Sequence, residues 1–302
     1  MEFFRRKTHI DFVGIRYYAF ALSGAMILAS LVSLFWQGLN YGIDFSGGTL
    51  VQLRFDSPAP VKEIRGALAG LELGDVVIQE FGSPEEVLIR VEAGTGNKGG
   101  EALAERMVAA IQPLSPGGKV ETRRVEFVGP QVGDELRRDG ILATLYSFVA
   151  ILAYVAFRFR FHFALGAVLA LFHDVIITVG YFSLFQKEFT LVVVAAILTV
   201  IGYSINDTIV VYDRIREEMK RLKKQPLGTV INEAVNGTLS RTVLTSFTVV
   251  VVLLALLFIG GEVIHDFALA LTLGVVVGTY SSIFVASPTV LFFDRSERAK
   301  PV

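Results

Sequence analysis

The chain has no cysteine. Disulfides and thiolate-held metals are excluded with it, and the absence suits a chain whose large loop faces an oxidising compartment. Charge is also scarce. Asp, Glu, Lys and Arg make up 19% of the 302 residues, against roughly a quarter in a soluble globular protein. The net charge is −1, so no excess of one sign points to nucleic acid or to an acidic ligand. Neither a GxxxxGK[ST] loop nor an HExxH pair occurs, which argues against ATP hydrolysis or zinc proteolysis by the chain itself. The sequence therefore predicts no enzyme, no catalytic residue, no metal site and no organic cofactor.

What is abundant is apolar surface: 53% of residues are hydrophobic and the mean hydropathy is +0.57. A bilayer core about 30 Å thick is crossed by about 20 apolar residues in a helix. Six runs have that character: Tyr17–Trp36, Ile141–Phe157, Phe163–Phe185, Phe189–Tyr212, Val243–Ile259 and Phe267–Phe293. The last is long enough to tilt, and Pro288 near its end predicts a bend. The first run has the basic start of a signal peptide. Its apolar stretch is longer than an h-region, however, and no A-x-A site follows, so it reads as an uncleaved anchor.

Short-loop charge sets the orientation. Arg5, Arg6 and Lys7 precede span 1; Arg158 and Arg160 join spans 2 and 3. Arg214, Arg216, Lys220, Arg221, Lys223, Lys224 and Arg241 lie between spans 4 and 5, and Arg295, Arg298 and Lys300 follow span 6. All fall on one side, predicted to be cytoplasmic, while the opposite hairpins Gln186–Glu188 and Gly260–Glu262 carry a single lysine. The expected division is a cytoplasmic N-terminus (1–16), span 1 (17–36), an external domain (37–138), spans 2–6 (139–294) with a cytoplasmic loop at 213–241, and a cytoplasmic tail (295–302).

The external segment has a readable pattern. Thr49–Phe55, Val76–Phe81, Val87–Glu92 and Val120–Val128 read as strands. Val61–Leu71, after Pro60, and Glu101–Ile111 read as helices, and Gly94–Gly100 as a loop. The order βαββαβ is the ferredoxin-like split arrangement. The segment carries no His and no nucleophile motif, so it reads as a binding or structural module.

An ionisable group inside a span costs about 2.5–3.5 kcal/mol or more, and so marks a functional candidate. Asn206 and Asp207 sit in the cytoplasmic half of span 4, with Tyr203 one turn before Asp207 and the small residues Gly202 and Ser204 beside them. Asp207 is predicted to load and release a proton; the competing reading is a fixed ion pair or structural hydrogen bond. His173 and Asp174 lie mid-span 3 and read either as further relay groups or as helix-packing hydrogen bonds. Arg241 opens span 5 and either snorkels to the interface or pairs with Asp207 in one state and releases it in another. Asp213, at the boundary beside Arg214, reads as solvated, and His265–Asp266 as an interfacial pair. Pro226–Thr238 predicts a separate amphipathic surface helix, and Gly274 with Gly278 a close helix contact. Asp174 with Asp207 makes an intramembrane protease imaginable, with no motif in support.

Four segments carry a resemblance: NYGIDFSGGTL (Asn40–Leu50), LFHDVI (Leu171–Ile176), IGYSINDTIVVYDRIR (Ile201–Arg216) and TLSRTVLTS (Thr238–Ser246). In order, spacing and placement across six spans the chain resembles the SecD/SecF family over essentially its whole length. The resemblance implies half of a twelve-span assembly similar to the resistance-nodulation-division (RND) transporters, completed by SecD. It also implies work beside SecA and the SecY/SecE/SecG channel in the bacterial inner membrane, with YajC or YidC as further partners, on a translocating preprotein and driven by protons. Asp207 would be the proton-carrying acid and Arg241 the functional arginine. Gly42, Asp44, Phe45, Gly47 and Gly48 would form the segment that couples membrane to external domain. A passive scaffold for SecD and the channel, and a small-molecule RND-type exporter, remain the alternatives.

Overall fold

The computed structural model describes residues 8–71, 73–74, 76–92, 100–115, 119–159 and 161–293. Arg5, Arg6, Lys7, Arg160, Arg295, Arg298 and Lys300, the expected loop before Gly100 and the expected tail lie outside the described residues. In chain order the elements are α1 (Arg16–Trp36), β1 (Asn40–Tyr41), α2 (Ile43–Ser46), β2 (Gly48–Arg54), α3 (Val61–Ala69), β3 (Val76–Phe81), β4 (Ser83–Val91), α4 (Gly100–Ile111), β5 (Glu121–Val128), α5 (Pro130–Arg158), α6 (Phe161–Leu184), β6 (Glu188–Phe189), α7 (Leu191–Arg221), α8 (Leu227–Ile259), α9 (Glu262–Ser281) and α10 (Ser287–Phe293). A π-helical turn, Ser282–Ala286, joins α9 to α10.

The chain divides into two compact units, residues 1–40, 144–187 and 192–302 in one, and 41–143 with 188–191 in the other. Six helical stretches are long and apolar enough to cross a membrane: Arg16–Trp36, Pro130–Arg158, Phe163–Leu184, Leu191–Arg221, Leu227–Ile259 and Val263–Phe292. The protein is a multi-pass membrane protein.

The helices exceed the apolar runs. α5 starts at Pro130 rather than near Ile141: proline suits the first helical turn, and Gln131, Glu135, Arg137 and Arg138 in the polar stretch that follows are good helix formers, although Gly133 and Gly140 are not. The expected cytoplasmic loop at 213–241 is largely helix: α7 runs on to Arg221 and α8 begins at Leu227. The amphipathic helix expected at Pro226–Thr238 is accordingly the first part of α8, not a separate element. Its apolar stripe of Val230, Ile231, Ala234 and Val235 is buried as amphipathicity requires. Pro288 does not simply bend the last span. It has no N–H to offer Phe284, and the helix widens into the π turn just before it, where the Ser287 hydroxyl donates to the Ser282 carbonyl at 2.7 Å.

Small side chains let the membrane helices approach. α1 buries Ala19, Ser23, Ser30 and Ser33 on one face. Ser30 fills the space a side chain at Gly180 of α6 would need, and Ser33 and Ser183 share a 2.8 Å hydrogen bond. Gly274 and Gly278 do bring α9 against α7, at Val200 and Ser204.

The second unit holds a four-stranded antiparallel sheet of order β3-β4-β2-β5. With α3 after its first strand and α4 after its third, this is the ferredoxin-like arrangement. One sheet face, Val51, Leu53, Ile78, Val87, Ile89 and Val91, packs on Ile64 and Leu68 of α3 and Leu103, Met107 and Ile111 of α4.

Before α1 the chain is strapped to α8. Ile10 N–H donates to Asn236 Oδ1 (2.9 Å) and Asn236 Nδ2 donates back to Ile10 O (2.8 Å). Val13 N–H donates to Asn232 Oδ1 (2.9 Å), and Asn232 Nδ2 and Gly14 N–H donate to Asp11 Oδ1 (2.7 and 2.8 Å). Phe12 is buried edge-on to Phe284, 5.5 Å away. The Gly14 N–H, then the Asn232 amide, hold the Asp11 carboxyl below its ordinary 3.8. A depressed carboxylate contributes stability above its ordinary value and loses it as pH falls through the folded value. A spin label on His9→Cys, unique in a cysteine-free chain, is therefore expected to gain mobility as pH drops below 3.8. With Asp11→Ala the label is expected to be mobile at every pH.

Candidate functional site

Two aspartates lie inside the membrane unit in opposite circumstances. Asp174 of α6 is fully buried and fully bonded. Its Oδ1 lies 2.8 Å from His173 Nδ1, and its Oδ2 accepts from the hydroxyls of Ser204 on α7 (2.5 Å) and Ser281 on α9 (2.8 Å). His173, also buried, reaches Ser23 of α1 through Nε2 at 3.1 Å. Ser23 Oγ is 3.1 Å from the Tyr280 hydroxyl, which donates to Ala19 O at 2.8 Å. The imidazole stacks over Tyr280 with ring centres 6.0 Å apart. Four helices thus meet on one carboxylate and its histidine.

Asp207 of α7 is 5% exposed, and its Oδ2 has no hydrogen-bond partner among the described residues. Ser246 and Arg241, both on α8, are the groups that act on it. Tyr203, one turn earlier, donates to Ser246 Oγ at 3.4 Å, and Ser246 Oγ lies 2.7 Å from Thr279 Oγ1 of α9. Arg241 is exposed on α8 and forms no direct salt bridge with Asp207 among the described contacts. Asn206 is exposed too: its neighbour Asp207 faces the helix packing, and a step of one residue turns the side chain about 100° around the helix. Among the described residues, neither Asn206 nor Arg241 hydrogen-bonds or ion-pairs with Asp207.

At the end of the membrane helices, the Asp213 side chain is exposed to solvent as expected, and it also carries ion pairs. It is held by Arg158 of α5 at 3.0 and 3.1 Å and by Arg216 at 3.3 Å. Arg214 turns instead to Glu217 (3.0 Å) and to Glu218 (2.8 Å), a buried acid that Arg221 also holds at 2.6 Å. His265 and Asp266 contact each other at 3.2 Å and remain half-exposed.

The segment Gly42–Gly48 is a tightly built corner of the other unit. Gly42 N–H donates to Phe189 O at 3.0 Å. Asp44 Oδ2 accepts from the N–H of Leu191, the first residue of α7, at 2.8 Å. That places a carboxylate on the positive end of the helix that carries Asp207. Phe45 is buried among Tyr41 and Phe189, with ring centres 6.0 and 6.2 Å away. Gly47 and Gly48 have φ of +68° and +132°, values that glycine alone adopts freely. A Cβ on Gly48 would strike Val91 O, and one on Gly47 would press on Pro130 of α5 at 3.0 Å.

Sequence reasoning found the acids but missed most of their partners. Ser23, Ser246, Thr279, Tyr280 and Ser281 were not singled out. Their signal is hydroxyl side chains within apolar runs, which in a membrane helix point inward toward other polar groups.

The family model described as "Protein export membrane protein SecD/SecF, C-terminal" matches residues 109–296, and the "SecD/SecF GG Motif" matches residues 32–59, around the Gly42–Gly48 corner. "Protein translocase subunit SecF" of Magnetococcus marinus is 62% identical over 301 residues, covering 99% of this chain and 97% of that one. The protein of the same name from Pseudomonas aeruginosa is 43% identical over 285 residues, covering 94% and 92%. The crystal structure of SecDF, a translocon-associated membrane protein from Thermus thermophilus, superposes with a TM-score of 0.84 at 39% identity. SecDF in its super-membrane-facing form superposes with a TM-score of 0.70 at 38% identity. The two superpositions cover 95% and 96% of this chain, which spans 39% of the solved SecDF chain in each.

The Asp44 contact predicts a measurable effect. Removing a side-chain cap costs about 0.5–2 kcal/mol. Asp44→Ala is expected to speed hydrogen exchange of the first α7 amides roughly fivefold and to leave the β2–β4 amides unchanged.

Proposed function

Because the chain belongs to the SecD/SecF family of protein-export membrane proteins, we propose that it is the SecF subunit of a protein translocase and couples a proton gradient to polypeptide export. In this reading it sits in the bacterial inner membrane with both termini cytoplasmic and the ferredoxin-like unit in the periplasm. It pairs with SecD, as the fused name of the solved relative suggests, and acts beside the SecY/SecE/SecG channel, SecA and YajC or YidC on the emerging preprotein. The coupling ion is the proton, no cofactor is involved, and no bond of the substrate is made or broken.

The observation that carries the proposal is Asp207: a buried carboxylate within a membrane span, with one oxygen that has no donor among the described residues. A buried charged oxygen that lacks a partner is costly, and accepting a proton removes the charge. A fixed structural acid would be expected to look like Asp174, with both oxygens hydrogen-bonded. Arg241 stands at the surface of α8 and Asn206 at the surface of α7. In an assembly with SecD these faces would meet the other half, and the proton path would be completed there. When Arg241 swings toward Asp207 its positive charge favours release of the proton; when it withdraws, uptake is favoured. The two positions of one arginine would thus link helix motion to proton movement. The Asp44 carboxylate ties the first residue of α7 to the Gly42–Gly48 corner.

The test is translocation into inner-membrane vesicles with an imposed proton gradient. Asp207→Asn and Arg241→Met are each expected to assemble normally with SecD and to lose the gradient-stimulated part of export by at least about tenfold, or about 1.4 kcal/mol of coupling. Assembled variants that export like the wild type would leave the chain as a scaffold.

A further inference from the structure

The direction of each hydrogen bond around His173 fixes how many protons the pair holds. Tyr280 gives its only hydroxyl proton to Ala19 O, a carbonyl that cannot donate. Ser23 Oγ, 3.1 Å from the Tyr280 oxygen, must then donate to it. Ser23 therefore accepts from His173, and Nε2 carries a proton. On the other side of the ring, Nδ1 and Asp174 Oδ1 stand 2.8 Å apart, which also requires a proton between them. A neutral imidazole beside a carboxylate would leave two lone pairs facing each other there. The pair thus holds one proton between its two residues and has no net charge. No Lys or Arg hydrogen-bonds or ion-pairs with it among the described residues. The titratable groups around it are Tyr280 from α9 and, on α7, Asp207 one turn beyond Ser204; α1 contributes Ser23 and no charge.

The same unit reaches toward the Asp207 site through α9. Three consecutive α9 residues face three different helices: Thr279 meets Ser246 of α8, Tyr280 meets Ser23 of α1, and Ser281 meets Asp174 of α6. Ser204, held by Asp174, lies three residues before Asp207 on α7. We propose that His173 and Asp174 are positioning residues, a net-neutral pair sharing one proton that fastens α1, α6 and α9 to α7 at Ser204 and so sets where the Asp207 carboxylate stands. The functional half of this proposal rests on Asp207 as the proton-carrying acid; the structural half does not.

A double-mutant cycle in the full chain, purified with SecD, tests it. His173→Leu leaves Asp174 Oδ1 buried without a donor and is expected to lower the melting temperature by at least about 6 °C. Asp174→Asn lets an amide N–H donate to the unprotonated Nδ1 of a neutral imidazole that keeps its Nε2 proton, while the amide oxygen accepts from Ser204 and Ser281, so its loss is expected to be less than half as large. Adding Asp174→Asn to His173→Leu is expected to recover most of the loss, because no uncompensated charge remains. In vesicles, Asp174→Asn is expected to retain gradient-driven export while its pH profile shifts by roughly half a unit, a change that loss of packing alone would not produce. Additive losses in the cycle overturn the shared proton. An unchanged pH profile overturns the positioning role. Export abolished by Asp174→Asn at an unchanged melting temperature makes Asp174 a carrier and also overturns it. If Asp207→Asn exports normally, the reading of Asp207 falls, and the cycle still decides the structure of the pair.

Discussion

Inside a bilayer a polar group has no water to fall back on, so each one must find its partner within the protein. The arrangement of this chain's membrane helices follows from how two aspartates meet that constraint. Asp174 meets it completely, with three donors from three helices on its two oxygens. Asp207 does not, and one of its oxygens has no hydrogen-bond partner among the described residues. The first is what a fixed junction requires. The second is what a group that changes its charge requires.

The small residues make this geometry possible. Gly180 admits Ser30, Gly274 admits Val200, and Gly278 brings the α9 backbone against Ser204 close to the Asp174 carboxylate. With larger side chains at these points the hydroxyls of α1, α7 and α9 could not converge on α6. The π turn after Ser281 falls directly beyond the residues that reach three neighbours at once, at a place where an α-helix and a π-helix differ by the register of a single hydrogen bond. At the other end of α7, Asp44 takes the first N–H of the helix, so the helix bearing the open acid is held at its N-terminus by one carboxylate and near Asp207 by another.

The hydropathy pattern revealed the six spans, and strand alternation revealed the βαββαβ order, because both are local signals. Helix ends were harder to read. α5 and α8 run past their apolar stretches into polar sequence, where hydropathy carries no signal for the helix end. Asp207, Asp174, His173 and Arg241 stood out because charge in an apolar run is conspicuous. Their serine and threonine partners did not, since a hydroxyl in a membrane helix can also bond its own preceding turn, as Thr178, Thr199 and Thr272 do here. Which hydroxyls turn inward to a carboxylate depends on helix packing, as does the outward turn of Asn206. Buried Glu218 was hidden among surface charges for the same reason.

The contrast between the two acids can be measured directly by infrared spectroscopy of carboxyl groups in the assembled complex, recorded as the pH is varied and repeated with Asp207→Asn and with Asp174→Asn. The account predicts a pH-dependent carboxyl band that disappears with Asp207→Asn and survives Asp174→Asn. A pH-dependent band that instead disappears with Asp174→Asn, or one untouched by either substitution, would contradict it.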